Sequence, residues 1–249
     1  MNDNRIQLNG IKVHPFPSDS SLLEYVEEHK GILVAINAEK ILHANEQIQD
    51  IVNRNIGYCD GIGAVMAVRQ HGAVDAVKIA GCELWLKIIT TLYQKEKTFY
   101  LVGSKQPVIE KTISRLKEDF PGIQITGYRN GYIQTETEQE ELIEDIKTKQ
   151  PDVIFVAMGS PKQEIFITKY MNELPCKIFM GVGGSFDVIS ETTKRAPLWI
   201  INSNLEWLYR ILKEPVRIKR FKKNINFIFM CIKDIYISNI RGLHLSNNT

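Results

Sequence analysis

Most features that announce a chemistry are missing from this chain. Its four cysteines, Cys59, Cys82, Cys176 and Cys231, are widely spaced and include no C-x-x-C pair. That argues against a disulfide framework and against a structural zinc site, and it suits reduced thiols in the cytosol. The five histidines, His14, His29, His43, His71 and His244, have no metal-ligand spacing. There is no Asp-x-Asp pair, the paired carboxylates that often hold a divalent metal against phosphates, so any phosphate charge would have to be neutralised by helix N-termini and arginines. No Gly-x-x-x-x-Gly-Lys-Ser/Thr or Gly-x-Ser-x-Gly motif occurs, no internal repeat and no low-complexity run. No apolar stretch approaches the roughly 18 residues of a membrane span. The opening MNDNRIQLNG lacks the apolar segment of a secretory signal. A cytoplasmic protein is expected.

What is present is an ordinary globular composition, 44% hydrophobic and 24% charged over 249 residues, enough for one medium α/β domain with an addition. The net charge of +2 hides an asymmetry. From Lys194 to Arg241 there are eleven basic and three acidic residues, so a mildly acidic body carries a basic tail. Such a tail suits an anionic partner: phosphates, nucleic acid or an anionic membrane.

Strand-length apolar runs alternate with helical patterns. GILVAIN (31–37) reads as a strand and 38–55 as one amphipathic helix. IGYCDG (56–61) reads as a short strand or turn before the helical IGAVMAVRQ. FYLVGS (99–104) precedes a helix over 107–120 with Pro107 in its first turn. IQITGY (123–128), an exposed helix over 136–150, and the buried runs DVIFVAM (152–158) and KIFMGVG (177–183) complete the pattern. Repeated β–α units imply an α/β fold, Rossmann-like, with a mostly parallel sheet covered by helices on both faces. Near residue 190 the alternation stops. A helix from Asn204 is interrupted at Glu214-Pro215, and a basic helix follows. The chain is therefore divided into a catalytic core, 1–190, and a basic helical, membrane-associating appendage, 191–249.

Ligands of such sheets bind beyond the carboxyl ends of the strands, and polar residues gather at those positions. Asn37 closes a strand and opens a helix; it is a natural N-cap and also faces the crevice. Asp60, before Gly61-Ile62-Gly63, either caps the helix that follows or projects into the crevice as a general base. Gln163 lies in the first turn after Gly159-Ser160-Pro161, where its amide either points into water or meets a uracil, ribose or sugar hydroxyl. Gly181 and Gly183 belong to a Gly-rich loop that lacks the third glycine of the dinucleotide fingerprint but can admit a phosphate. In the tail, Arg210, Lys213, Arg217 and Arg220 recur at intervals of three and four among aromatic residues, a pattern that suits a membrane interface and also RNA.

In order along the chain, LVAINAEK, YCDGIG, VAMGSPKQEIF, MGVGGSFDV, KRAP and LEWLYRILKEPVRIKR resemble the WecG/TagA/CpsF family of bacterial glycosyltransferases, over about residues 30–223. Within it, SPKQEIF and LEWLYR are most similar to members that transfer N-acetyl-D-mannosaminuronic acid in enterobacterial common antigen synthesis. The resemblance implies a Rossmann-like core that uses neither metal ion nor cofactor. It implies an inverting transfer of an N-acetylmannosamine-type sugar from UDP. The acceptor is N-acetylglucosamine linked by diphosphate to undecaprenol, at the cytoplasmic face of the plasma membrane, with no nucleic acid involved. It places the base on Asp60, the pocket asparagine on Asn37, the substrate-binding glutamine on Gln163 and the appendage arginines on Arg210, Arg217 and Arg220. Ala35 departs from the pattern: some members carry threonine there, so a hydroxyl contact is absent.

Three alternatives stay open on sequence alone. A nucleotide-dependent oxidoreductase requires a cofactor fingerprint that is incomplete. A non-catalytic basic module binding RNA or membrane accounts for the tail but not for the strand-end residues. A relative within the family acts on N-acetylmannosamine or a hexose in teichoic acid or capsule assembly. An exposed amphipathic appendage also favours self-association into a homo-oligomer.

Overall fold

A computed structural model of the chain describes residues 4–203 and 205–213. The chain opens with an antiparallel hairpin, β1 (Ile6–Leu8) and β2 (Ile11–Val13). Asn9 and Gly10 turn it with φ of 42° and 87°, the left-handed pair that Asn-Gly supplies to a two-residue hairpin. After α1 (Asp19–Glu28) the first long strand, β3 (Gly31–Ile36), enters the core.

The residues between β3 and the next strand form two helices, α2 (Ala38–His43) and α3 (Glu46–Asn53), where the sequence pattern suggests one. The reason is local: Ala44 is extended and the Asn45 side chain accepts from the Ile48 N–H, so a second N-cap starts a second helix. β4 (Ile56–Cys59) and α4 (Ile62–Gln70) follow. Then comes α5 (Gly81–Tyr93), whose apolar positions Leu84, Trp85, Ile88, Ile89 and Leu92 are all buried at helical spacing.

The second half repeats the unit four strands long: β5 (Thr98–Gly103), α6 (Gln106–Asp119), β6 (Gln124–Arg129), α7 (Glu136–Lys149), β7 (Val153–Ala157), α8 (Lys162–Tyr170), β8 (Ile178–Gly181) and the short α9 (Ser185–Ile189). Pro107 occupies the first turn of α6, as its sequence suggests. A Thr135–Glu138 capping box starts α7. Beyond them lie α10 (Leu198–Asn202) and α11 (Glu206–Lys213).

Six strands form one sheet in the order β4-β3-β8-β7-β5-β6, every pairing parallel. Its central runs, such as VIFVA in β7, are buried throughout, as a sheet covered on both faces requires. One core layer holds α2, α3, α4, α7 and α8, through residues such as Ile41, Ile51, Val65, Ile146 and Ile167. The other holds α1, α5, α6 and α9, through Leu22, Trp85, Ile109 and Phe186. The chain leaving β3 turns to the first layer and the chain leaving β8 to the second. Adjacent strands whose continuations diverge open a crevice at their carboxyl ends, where ligands of such sheets bind. Among the described residues no helix is long and apolar enough to cross a membrane.

Candidate active site

The crevice is bounded by four neighbouring strand ends, those of β4, β3, β8 and β7, and each carries one of the residues singled out from the sequence. Asp60 follows β4 and Asn37 follows β3; parallel register sets Ile36 opposite Cys59, and the Asp60 N–H donates to the Ile36 carbonyl at 2.9 Å. A Cβ placed on Gly61 would lie 3.7 Å from the Asn37 Cβ, so the two junctions touch.

Asn37 is the N-cap of α2, its side-chain oxygen accepting from the Lys40 N–H at 3.0 Å. Lys40 then extends across the crevice floor. Its Nζ donates to the Ala35 carbonyl at 3.0 Å and to Oε1 of Glu164 at 2.8 Å. Glu164 is almost fully buried, so α2 and α8 are joined at their first turns by a largely desolvated ion pair.

Gln163, beside it, is 5% exposed. Its Oε1 accepts from the Gly183 N–H at 3.0 Å, which sets aside the alternative that it points into water. Gly181 makes room beneath it: a Cβ there would sit 2.3 Å from the Gln163 Nε2, and the glutamine would have to shift. Gly183 adopts φ +53°, a conformation glycine accepts readily. The four motifs thus stand on four neighbouring strand ends, where Asn37 and Lys40, Lys40 and Glu164, and Gln163 and Gly183 are joined by hydrogen bonds.

Asp60 does not cap the helix that follows it. Gly61 is the N-cap of α4, with no side-chain bond. Instead, Asp60 Oδ1 accepts from the Gly81 N–H at 2.6 Å, at the first turn of α5. A carboxylate there is stabilised by the unpaired amides and dipole of a long helix. A cleft of about 210 Å³ adjoins the same turn, lined by Lys78, Ile79, Ala80, Glu83 and Lys87 together with Ile201 of α10. Burial, reinforced by the Asp60 charge, pushes the Cys59 thiol up to about 12, so this cysteine stays protonated.

Arg195, in the KRAP segment, is engaged. It donates to Glu83 of α5 at 2.7 Å and lies 3.4 Å from Glu206 of α11. Burial works against its charge, yet the hydrogen bond it donates to Glu83 and the Glu206 carboxylate hold its pKa above the ordinary value. Arg210 falls within α11; Arg217 and Arg220 lie outside the described residues. Among the described residues no group of three or more His, Cys, Asp or Glu side chains is placed to hold a metal ion.

Sequence reasoning missed Lys40, Glu164 and Gly81. Lys40 and Glu164 are 124 residues apart, and their pairing becomes visible only once the strand order is known. Gly81 opens an apolar helix, a position where glycine is otherwise unfavourable; that was its one signal.

Comparison with known proteins agrees with this architecture. The model of the Glycosyl transferase WecG/TagA/CpsF family matches residues 6–240. A protein of Bacillus spizizenii, N-acetylglucosaminyldiphosphoundecaprenol N-acetyl-beta-D-mannosaminyltransferase, is 37% identical over 213 residues, 84% of this chain and 82% of that one. A protein of the same name from Bacillus subtilis is 33% identical over 224 residues, 86% of each chain. Both names specify mannosaminyl transfer rather than transfer of a uronic acid. With the oxidoreductase and non-catalytic alternatives set aside, the chain belongs to the WecG/TagA/CpsF family and is a glycosyltransferase.

Proposed function

We propose that the chain moves N-acetylmannosamine from UDP to the N-acetylglucosamine of an undecaprenyl-diphosphate-linked acceptor, with inversion at the anomeric carbon. The observation that carries this reading is the gathering of polar groups, from Asp60 to Gln163, on four neighbouring strand ends of a family member whose relatives bear that activity in their names.

Asp60 takes the proton of the attacking acceptor hydroxyl. The hydroxyl oxygen forms the new bond to the anomeric carbon as the bond to the diphosphate oxygen breaks, and UDP leaves with the electron pair. Asn37 and the Gln163 Nε2 hold the donor sugar, and the Gly181–Gly183 loop lets the diphosphate approach the backbone closely. Arg210, Arg217 and Arg220 shield the leaving group's charge, a contribution of about 3 kcal/mol for one well-placed donor. No step is assigned to a metal ion or a cofactor.

The reading favours an uncharged donor sugar over N-acetylmannosaminuronic acid. The names of the two relatives specify a mannosaminyl group and not its uronic acid. Peripheral attachment to the inner membrane face fits the lipid acceptor. Of the eight large apolar side chains most exposed among the described residues, five (Leu198, Trp199, Leu205, Leu208 and Leu212) belong to the 198–212 segment.

The test is a donor screen with a short-chain lipid-diphosphate-N-acetylglucosamine acceptor. UDP-N-acetylmannosamine is expected to give a disaccharide product, and UDP-N-acetylmannosaminuronic acid a rate at least tenfold lower. Preference for the uronic acid overturns the donor assignment, and absence of transfer from any UDP-sugar overturns the reading as a whole.

A further inference from the structure

Among the described residues, two buried side-chain oxygens have no hydrogen-bond partner: Oε2 of Glu164 and the hydroxyl of Tyr58. Glu164 has its ion pair with Lys40 to account for it; Tyr58 has nothing comparable. The ring is fully buried at the end of β4, in the core layer it shares with Ile79, Leu84 and Trp85. A phenylalanine would fill the same space without leaving a buried donor unsatisfied, which is costly. The hydroxyl is therefore a net burden to folding.

Its surroundings say what it is for. A Cβ placed on Gly81 would lie 2.8 Å from the Tyr58 hydroxyl and 3.3 Å from Asp60 Oδ1. Both oxygens crowd the one residue whose N–H already holds Asp60, and a methyl group there would wedge between them. Gly81 keeps that space open.

We propose that Tyr58 is a positioning residue for Asp60: its hydroxyl is an additional donor to the carboxylate, engaged when the acceptor fills the crevice and Asp60 turns to meet it. This rests on Asp60 being the general base. The titratable groups that act on the phenol are Asp60 on its own chain turn, Cys82 of α5 and Glu164 of α8, the last paired with Lys40 of α2; His14, just after β2, is bridged to Tyr58 through the backbone. Burial, and then the Asp60 carboxylate, hold the phenol well above its usual pKa. It thus remains a neutral donor throughout the working range. A donor to a carboxylate favours the charged form, so Tyr58 keeps Asp60 ionised while it waits for a proton.

The experiment compares wild type, Tyr58→Phe, a protein carrying 3-fluorotyrosine at position 58, and Asp60→Asn, using UDP-N-acetylmannosamine and the short-chain acceptor. Tyr58→Phe is expected to lower kcat about tenfold with KM unchanged and Tm no lower than wild type. Its acid limb of kcat should move up by about one pH unit, since a carboxylate deprived of a donor protonates more readily. Fluorotyrosine keeps the shape and is the stronger donor, so the limb should move down. An unmoved limb in the fluorotyrosine protein overturns the proposal, even if Tyr58→Phe does not fold. So does a Tyr58→Phe rate loss accompanied only by a lower Tm, which marks a structural role. An active Asp60→Asn protein removes the base assignment and this proposal with it; an inactive one beside an unmoved limb removes this proposal alone.

Discussion

The two ends of the sheet use polar side chains in opposite ways. At the amino ends they stitch strands together and satisfy one another. Asn55, just before β4, accepts from the Ile32 N–H of β3 at 3.0 Å and donates to the Ile51 carbonyl at 2.8 Å. Asp152, before β7, accepts from the N–H and the hydroxyl of Thr98 at the start of β5, both at 2.9 Å, and its carbonyl receives the Ile178 N–H of β8. At the carboxyl ends the polar groups crowd together, two buried oxygens lack partners, and glycines at 81 and 181 are kept where a methyl group would collide with a functional side chain. A fold at its stability optimum would treat both ends as it treats the amino ends. The unpartnered groups gather at the end of the sheet where ligands of such folds bind, as the proposed function requires.

Mutations at the carboxyl ends should therefore damage rate more than stability, and the largest such effect is expected at Asp60. Asp60→Asn retains an oxygen to accept the Gly81 N–H but cannot take a proton. The kcat for transfer should fall by about 10²–10⁴-fold, the usual worth of a general base, with KM for the UDP-sugar within about threefold and Tm within a few degrees of wild type. Steady-state kinetics with thermal melting measures all three. A Tm loss large enough to account for the inactivity would erase the distinction between the two ends.

Lys40 tests the boundary between them, because it is both structural and close to the site. Lys40→Met leaves Glu164 buried without its cation, which should cost about 3 kcal/mol and lower Tm by roughly 6–10 °C. The double variant Lys40→Met/Glu164→Gln removes both charges and should recover most of the loss. If transfer in the double variant remains depressed once stability is restored, the pair also sets the spacing of Asn37 and Gln163; if it returns, the pair serves folding alone.

How far the sequence revealed this division depends on range. The central strands were legible because runs such as VIFVA are apolar at every position, and their carboxyl ends were legible because a helical pattern follows each one. Asn37, Asp60, Gln163, Gly181 and Gly183 were found in that way, from position rather than chemistry. The hairpin β1–β2 was passed over because three-residue strands carry almost no periodicity, although Asn9-Gly10 marked its turn. The break between α2 and α3 was lost inside one long amphipathic pattern, where Asn45 was the signal. What could not be read were contacts between distant junctions: Lys40 with Glu164, Asp60 with Gly81, and Arg195 with Glu83. Each depends on the order β4-β3-β8-β7 or on the docking of α5 and α11, and neither is encoded in local spacing.

Asp152 sharpens the comparison from the other side, and the effect expected there is the smallest. Partial burial raises its pKa, but the Thr98 N–H, the Lys97 ammonium and the Thr98 hydroxyl together lower it below the ordinary value. A carboxyl group whose folded pKa is depressed stabilises the fold above its unfolded pKa of about 3.9, and that contribution is lost as pH falls through the folded value. Asparagine cannot accept from both Thr98 and Lys97 with the same pair of oxygens, so Asp152→Asn should be less stable than wild type at pH 7. The side chain is 37% exposed, so solvent screening limits the difference to under about 1 kcal/mol, a Tm shift of about 2–3 °C. The gap should narrow steadily below pH 4 and close once the wild-type carboxyl is protonated, while kcat at pH 7 stays at the wild-type value. Thermal melts of the two proteins across pH 2–8, with one kinetic comparison at pH 7, measure this. A constant gap at all pH values would mean that Asp152 acts through packing rather than charge, and a fall in kcat would mean that the amino ends of the strands are not insulated from the crevice.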